Sequence, residues 1–149
     1  MGFGDLVQQA IHSAAGVPRL YSAALRAGVG PSGAVEVLRI SQSAMATAAQ
    51  HGRGVPGRTN ALRHFLWQAV LTARFGVEVA RSIAAAQEVG TPNVKDSRVD
   101  AQNNLAGQDY GVAHASDLKA GSPSDAVRSL VPEALAKWES DELIWIKPH

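Results

Sequence analysis

The chain contains no cysteine. Disulfides, thiolate metal sites and a cysteine nucleophile are therefore excluded, while either redox compartment stays open. Aromatic residues are scarce at 5%, and alanine supplies much of the 46% that is apolar. That balance favours helices over sheets, because alanine loses little on entering a helix and packs poorly on a pleated surface. Excess charge is missing too: 14 basic residues stand against 13 acidic ones. That argues against a polybasic nucleic-acid binder while leaving a local basic face open, and no nucleic acid is expected as a partner. No window approaches the roughly 18 apolar residues of a membrane span, so none is expected. The start, Met1-Gly2-Phe3-Gly4-Asp5, lacks the basic region and apolar core of a secretory signal. That leaves the cytoplasm or export by a specialised secretion system. Leu6 stands where myristoylation wants Ser or Thr.

What is present is 149 residues, enough for one domain with a real core. The pattern predicts an all-α fold, a compact multi-helix domain with an N-terminal helical hairpin. Asp5 caps a first helix to about residue 15, with Leu6, Ala10 and Ala14 on one side. Helices follow over 19–27 and 34–50. The Gly-rich stretch His51–Gly57 separates a segment 1–50, packed on the rest, from a compact unit 57–149. Thr59 or Asn60 caps a helix to Phe75, and another covers 77–88. Asp96 or Ser97 opens a helix to about Ala115, interrupted or kinked near Gly107 and Gly111. Ser122-Pro123 starts a last helix reaching Glu139 or Ser140. The tail Leu143-Ile144-Trp145-Ile146 reads as a short strand or a docked strap.

Two of these helices carry an unusual polar stripe. Opposite the apolar Leu62, Phe65, Leu66, Ala69, Val70 and Ala73 stand Asn60, Arg63, His64, Trp67 and Gln68, at steps of three and four. A solvated face is normally written in Lys and Glu. Amides, imidazole and guanidinium are expensive to bury unpaired, so this stripe suggests a pocket wall or a buried network. The later helix repeats the pattern with Asp96, Asp100, Asn103, Asn104 and His114. Gly107 and Gly111 on that side allow close approach, and Ala101, Leu105 and Val112 offer a packing face. Glu88 closes the preceding helix and points toward the same space.

Such a set supplies what hydrolysis requires: a base near neutral pH, carboxylates to orient it and amide donors for an oxyanion. We assign the catalytic set as His64, Asp100 and Asn104. Arg63, Asn60, Trp67 and Asn103 form the substrate-binding set, with Arg63 suited to phosphate or carboxylate. Carboxylate plus imidazole also fits a divalent metal on His64, Glu88, Asp96 and Asp100, although no short metal signature is present.

Asn60-Ala61-Leu62-Arg63-His64 through Trp67, followed by Asp100 through Gly107, resembles an uncharacterised bacterial domain of C-terminal regions of secreted, toxin-like proteins. The resemblance covers about residues 57 to 111. Its pattern is Asn-Ala-x-Arg-His-x-x-Trp, an Ala-His-Glu, then Asp-x-x-Asn-Asn-x-x-Gly. The middle element departs here: Ala86-Gln87-Glu88 has glutamine where the pattern has histidine. If that histidine is a ligand or base, this copy is altered or inactive. The resemblance implies a shared site rather than a named reaction.

A non-catalytic reading stands beside the hydrolase-like effector. In it the same residues form a hydrogen-bond network fixing helix register, in an interaction or assembly module. His64 then bridges helices, Arg63 pairs with Asp96 or Asp100, and Asp100, Asn103 and Asn104 cap a helix start. The first hairpin, Leu6 to Met45, is the surface through which a homodimer would form.

Overall fold

The computed structural model describes residues 16–88 and 94–145; the predicted helix before Ala15 and the break at 90–93 lie outside them. The described residues form eight helices and no strand, the all-α architecture expected. These are α1 (Gly16–Arg26), α2 (Gly30–Gly52), α3 (Arg58–Phe75), α4 (Val77–Glu88), α5 (Val94–Ala113), α6 (Ala115–Lys119), α7 (Pro123–Ser129) and α8 (Val131–Glu139). Among the described residues no helix is long and apolar enough to cross a membrane.

α3 is the central element, packed against α2, α4, α5, α6, α7 and α8. From Ala61 to Ala73 every residue but Arg63 is buried, the polar His64, Gln68 and Thr72 included. The helix is thus wrapped on all sides, so its polar stripe faces other helices. One core runs from Leu20 on α1 through Val37 and Ile40 on α2, Phe65 and Leu66 on α3 and Ile83 on α4 to Val127 and Leu143. Arg74 fastens its far end: Nε donates to Glu36 Oε1 at 2.6 Å, Nη1 to the Leu118 carbonyl and Nη2 to the Gly121 carbonyl.

α5 packs opposite to the expectation. Ala101 and Leu105 are exposed, and Val112 is 61% exposed; the buried face is Asn103, Asn104, Gly107, Gln108 and Gly111. The glycines explain the reversal. A Cβ on Gly107 would lie 2.6 Å from the Phe65 carbonyl oxygen, and one on Gly111 2.5 Å from that of Ala69. The two backbones meet along this stripe, and amides in such close contact find partners on the facing helix. The expected interruption at these glycines is also absent, since α5 is continuous.

Several boundaries differ. α1 starts at Gly16 and α2 at Gly30, ahead of the expected 19 and 34. α3 starts at Arg58 behind Gly57, with no side-chain cap from Thr59 or Asn60. His114 ends α5 and a further helix, α6, follows. The single helix expected over 122–140 is parted at Leu130, because Pro132 has no N–H to bond back to residue 128. The tail is a strap: Leu143 is buried, and Asn103 grips the Ile144 backbone, its Nδ2 donating to the carbonyl at 2.9 Å and its Oδ1 accepting from the amide at 2.8 Å. Trp145 lies on Gly57, where a Cβ would overlap the indole and where φ is +77°. Only glycine meets both demands at no cost.

Candidate functional site

The site lies where α3 and α5 run side by side. Asn60 pairs with Asp100, His64 with Asn104 and Gln68 with Gln108, each pair forty residues apart in sequence. A constant offset means that the two helices run parallel in register. Each pair lies one helical turn beyond the last, giving a ladder of polar contacts that passes from surface to interior. Asn60 is exposed and the Asp100 side chain is 18% exposed, whereas His64 and Asn104 are 4% exposed each and Gln68 is fully buried.

His64 is anchored through Nδ1, while Nε2 faces two charged neighbours. Nδ1 lies 2.7 Å from Asn104 Oδ1. An amide oxygen only accepts, so Nδ1 carries the hydrogen and Nε2 holds the lone pair of the neutral ring. Nε2 faces the outer rung, 3.3 Å from Asp100 Oδ1 and 3.5 Å from an Arg63 Nη2. Asp100 Oδ1 also accepts from Asn60 Nδ2 at 2.8 Å. Trp67 packs edge-on to the imidazole, ring centroids 5.9 Å apart.

Burial dominates the electrostatics. It pushes the His64 pKa below the usual histidine range, and the Arg63 charge adds to that; Asp100 and the Asn104 hydrogen bond pull the other way. Arg63 is lowered by burial as well, opposed by Asp100, and a guanidinium stays charged regardless. At neutral pH the site is therefore a neutral imidazole between a guanidinium and a carboxylate.

The structure brings His64, Asp100, Asn104, Arg63, Asn60 and Trp67 together at this end of the helix pair. Asn103 is not among them, because its amide is committed to the strap at Ile144. His114 also lies elsewhere: it stacks on Tyr110 at 4.1 Å, close to Asp117. The side chains of Glu88 and Asp96 lie outside the described residues, and among the described ones no three of His, Asp and Glu converge as a metal set. Gln108 and Thr72 had not been singled out from the sequence. Gln108 was legible in principle, four residues after Asn104 on the same stripe.

Residues 28–137 match the model of a family described as a domain of unknown function, DUF6973. The chain belongs to this family. The matched span contains both polar stripes, so the ladder is a feature of the DUF6973 domain in this chain. The strap residues Leu143 to Trp145 lie beyond the match. No curated protein and no solved structure matches the chain. Gln87 lies inside the span, and its Oε1 is buried with no hydrogen-bond partner among the described residues.

An open groove of about 660 Å³ lies at the other end of α3, lined by Thr72 to Gly76, Val29 and Val112 among others. It begins two turns beyond His64, about 12 Å along the axis, and shares no residue with the outer rung.

Proposed function

We propose that this DUF6973 domain carries a hydrolase-like acid–base site centred on His64. One observation carries the reading: Nδ1 is anchored on Asn104, and the lone pair of Nε2 is turned toward the solvent-reached rung of Asp100 and Asn60. A base needs its reactive nitrogen presented and its other nitrogen held, and a lowered pKa keeps the ring unprotonated at neutral pH. In this reading Nε2 takes a proton from an attacking water and returns it to the leaving oxygen of an ester. Asp100 steadies the imidazolium formed in between, and Asn104 orients the ring. Trp67 and Asn60 shape the entry. Asn103 is removed from the substrate-binding set, since the strap consumes its amide.

The test is hydrolysis of carboxylic esters and phosphoesters by the wild type and by His64→Gln, with folding checked by circular dichroism. Loss of a general base lowers turnover about 10²–10⁴-fold. A folded His64→Gln variant that turns over like the wild type would sink the reading. Chelation followed by addition of Mg²⁺, Mn²⁺ or Zn²⁺ in the same assay tests a divalent metal on His64 and Asp100, with Glu88 and Asp96 completing its ligands.

A second reading is favoured by a different observation, the constant forty-residue offset of three successive polar pairs. In it the ladder sets the register of a non-catalytic interaction module. Absent turnover, with stability lost in His64→Gln by about 1–3 kcal/mol, would select it. The secreted, toxin-like setting belongs to this proposal in either form. So does a homodimer through the N-terminal hairpin, where Leu25 and Val35 are exposed apolar residues. Sedimentation of Val35→Glu against the wild type tests that contact.

A further inference from the structure

We propose that residues 143–145 form an exchangeable strap: the seat they fill also accepts the same segment of a second copy of this chain, so that two copies join by trading straps. The seat reads main chain. Asn103 is fully buried, and its amide is spent on one residue, Nδ2 on the Ile144 carbonyl and Oδ1 on the Ile144 amide. The N–H and C=O of one residue point the same way only in extended chain, as in a strand pair that exchanges both bonds. The pairing ignores the Ile144 side chain, which is exposed. The flanking residues set the fit: Leu143 is buried in the common core, and Trp145 lies on Gly57, where a Cβ would meet the indole. An empty seat would leave the Asn103 amide buried without these partners, which is costly, so the seat favours being filled. These contacts are the same whether strap and seat belong to one chain or to two, and a second copy carries the same Leu143, Ile144 and Trp145.

What returns the strap to its own seat is the turn that ends α8. Asp141 takes a φ of +62°, a left-handed conformation that costs a residue with a Cβ and that helix ends ordinarily give to glycine. Around it the Asp141 amide donates to the Trp138 carbonyl at 3.2 Å and the Glu142 amide to that of Lys137 at 3.0 Å. Ser140, Asp141 and Glu142 are exposed, so water replaces these bonds when the turn opens. A short hinge under strain favours exchange of the element beyond it. The contacts broken in one seat are remade in the other, so the balance rests on relief of the turn against the cost of association. The exchanged form is therefore a minor one that rises with concentration. It is separate from a contact through the N-terminal hairpin, since Val35 on α2 belongs to neither strap nor seat.

The experiment is Asp141→Pro in the full chain, because proline cannot take a positive φ and so holds the turn open. Sedimentation over a range of concentrations should show a dimer at least about tenfold tighter than any formed by the wild type, the scale of one left-handed residue's cost. Adding Asn103→Ala should return that dimer to monomer, with helix content checked by circular dichroism. Trp145→Ala should weaken it in part, and Val35→Glu should leave it intact. Where Asp141→Pro does not fold, Asp141→Val asks the same question, since a β-branched residue disfavours the left-handed turn and keeps its N–H. A folded, monomeric hinge variant overturns the proposal. So does a dimer indifferent to Asn103→Ala and Trp145→Ala, or one abolished by Val35→Glu. Failure of both hinge variants to fold also overturns it, because the turn then cannot open.

Discussion

At the scale of single residues, the folded state holds His64 neutral. Its pKa is lowered in the native chain, chiefly by burial, and returns to about 6.5 on unfolding. The unfolded state therefore binds the proton first as pH falls. Stability contributed by the neutral ring is complete above about pH 6.5 and is lost from there down to the folded pKa, at no more than about 1.4 kcal/mol per pH unit. His64→Gln should lack this component. Urea midpoints of the two proteins between pH 7.5 and 5 check it, and a wild-type slope equal to the variant's would contradict the burial argument. His64, Arg63 and Asn60 were legible in the sequence because they interrupt an apolar helix at helical spacing. The commitment of Asn103 was not, since its partner Ile144 lies 41 residues away and offers only backbone.

At the scale of elements, the contact of α3 with α5 depends on two missing methyl groups. Gly107→Ala and Gly111→Ala each place a carbon against a facing carbonyl oxygen, Phe65 and Ala69 respectively. Alanine favours an isolated helix over glycine by about 1 kcal/mol, yet the clash forces the helices apart. Each change should lower stability by about 1–3 kcal/mol net in denaturant titrations; a gain would mean that the backbones tolerate separation. The innermost rung behaves differently. Gln108 Nε2 donates to Gln68 Oε1 at 2.7 Å, while Gln68 Nε2 has no partner. Replacing Gln68 alone with Met strands Gln108 at a cost of about 1–3 kcal/mol, whereas the double Met variant should recover most of that. The periodicity of α3 announced its helix. That of α5 misled, because its apolar residues face solvent and its glycines and amides face inward. Hydrophobic pattern ranks faces by transfer free energy alone and takes no account of close backbone approach.

At the scale of the whole molecule, two long-range fastenings hold the ends, Arg74 and the grip of Asn103 on the Ile144 backbone. Arg74 joins α3 to α2 and to the chain around α6, and Arg74→Met leaves two carbonyls and Glu36 without their donor. A loss of about 1–3 kcal/mol is expected in thermal or urea unfolding; an unchanged midpoint would show that solvent replaces it freely. The helical class and most element positions followed from alanine content and from the Gly and Pro breaks. The split between α7 and α8 required weighing Pro132 against an otherwise helical pattern.

The parallel register of α3 and α5 has a consequence for how the domain comes into being. Hairpin neighbours meet early because little chain lies between them. Here each rung joins residues forty positions apart, so a long loop must close before any rung forms, and its entropic cost precedes the contacts that repay it. His64 thus depends for both partners on a non-local closure. Folding and unfolding rates of a rung variant separate the two cases: slowed folding means that the rung forms as the loop closes, and faster unfolding means that it forms afterwards.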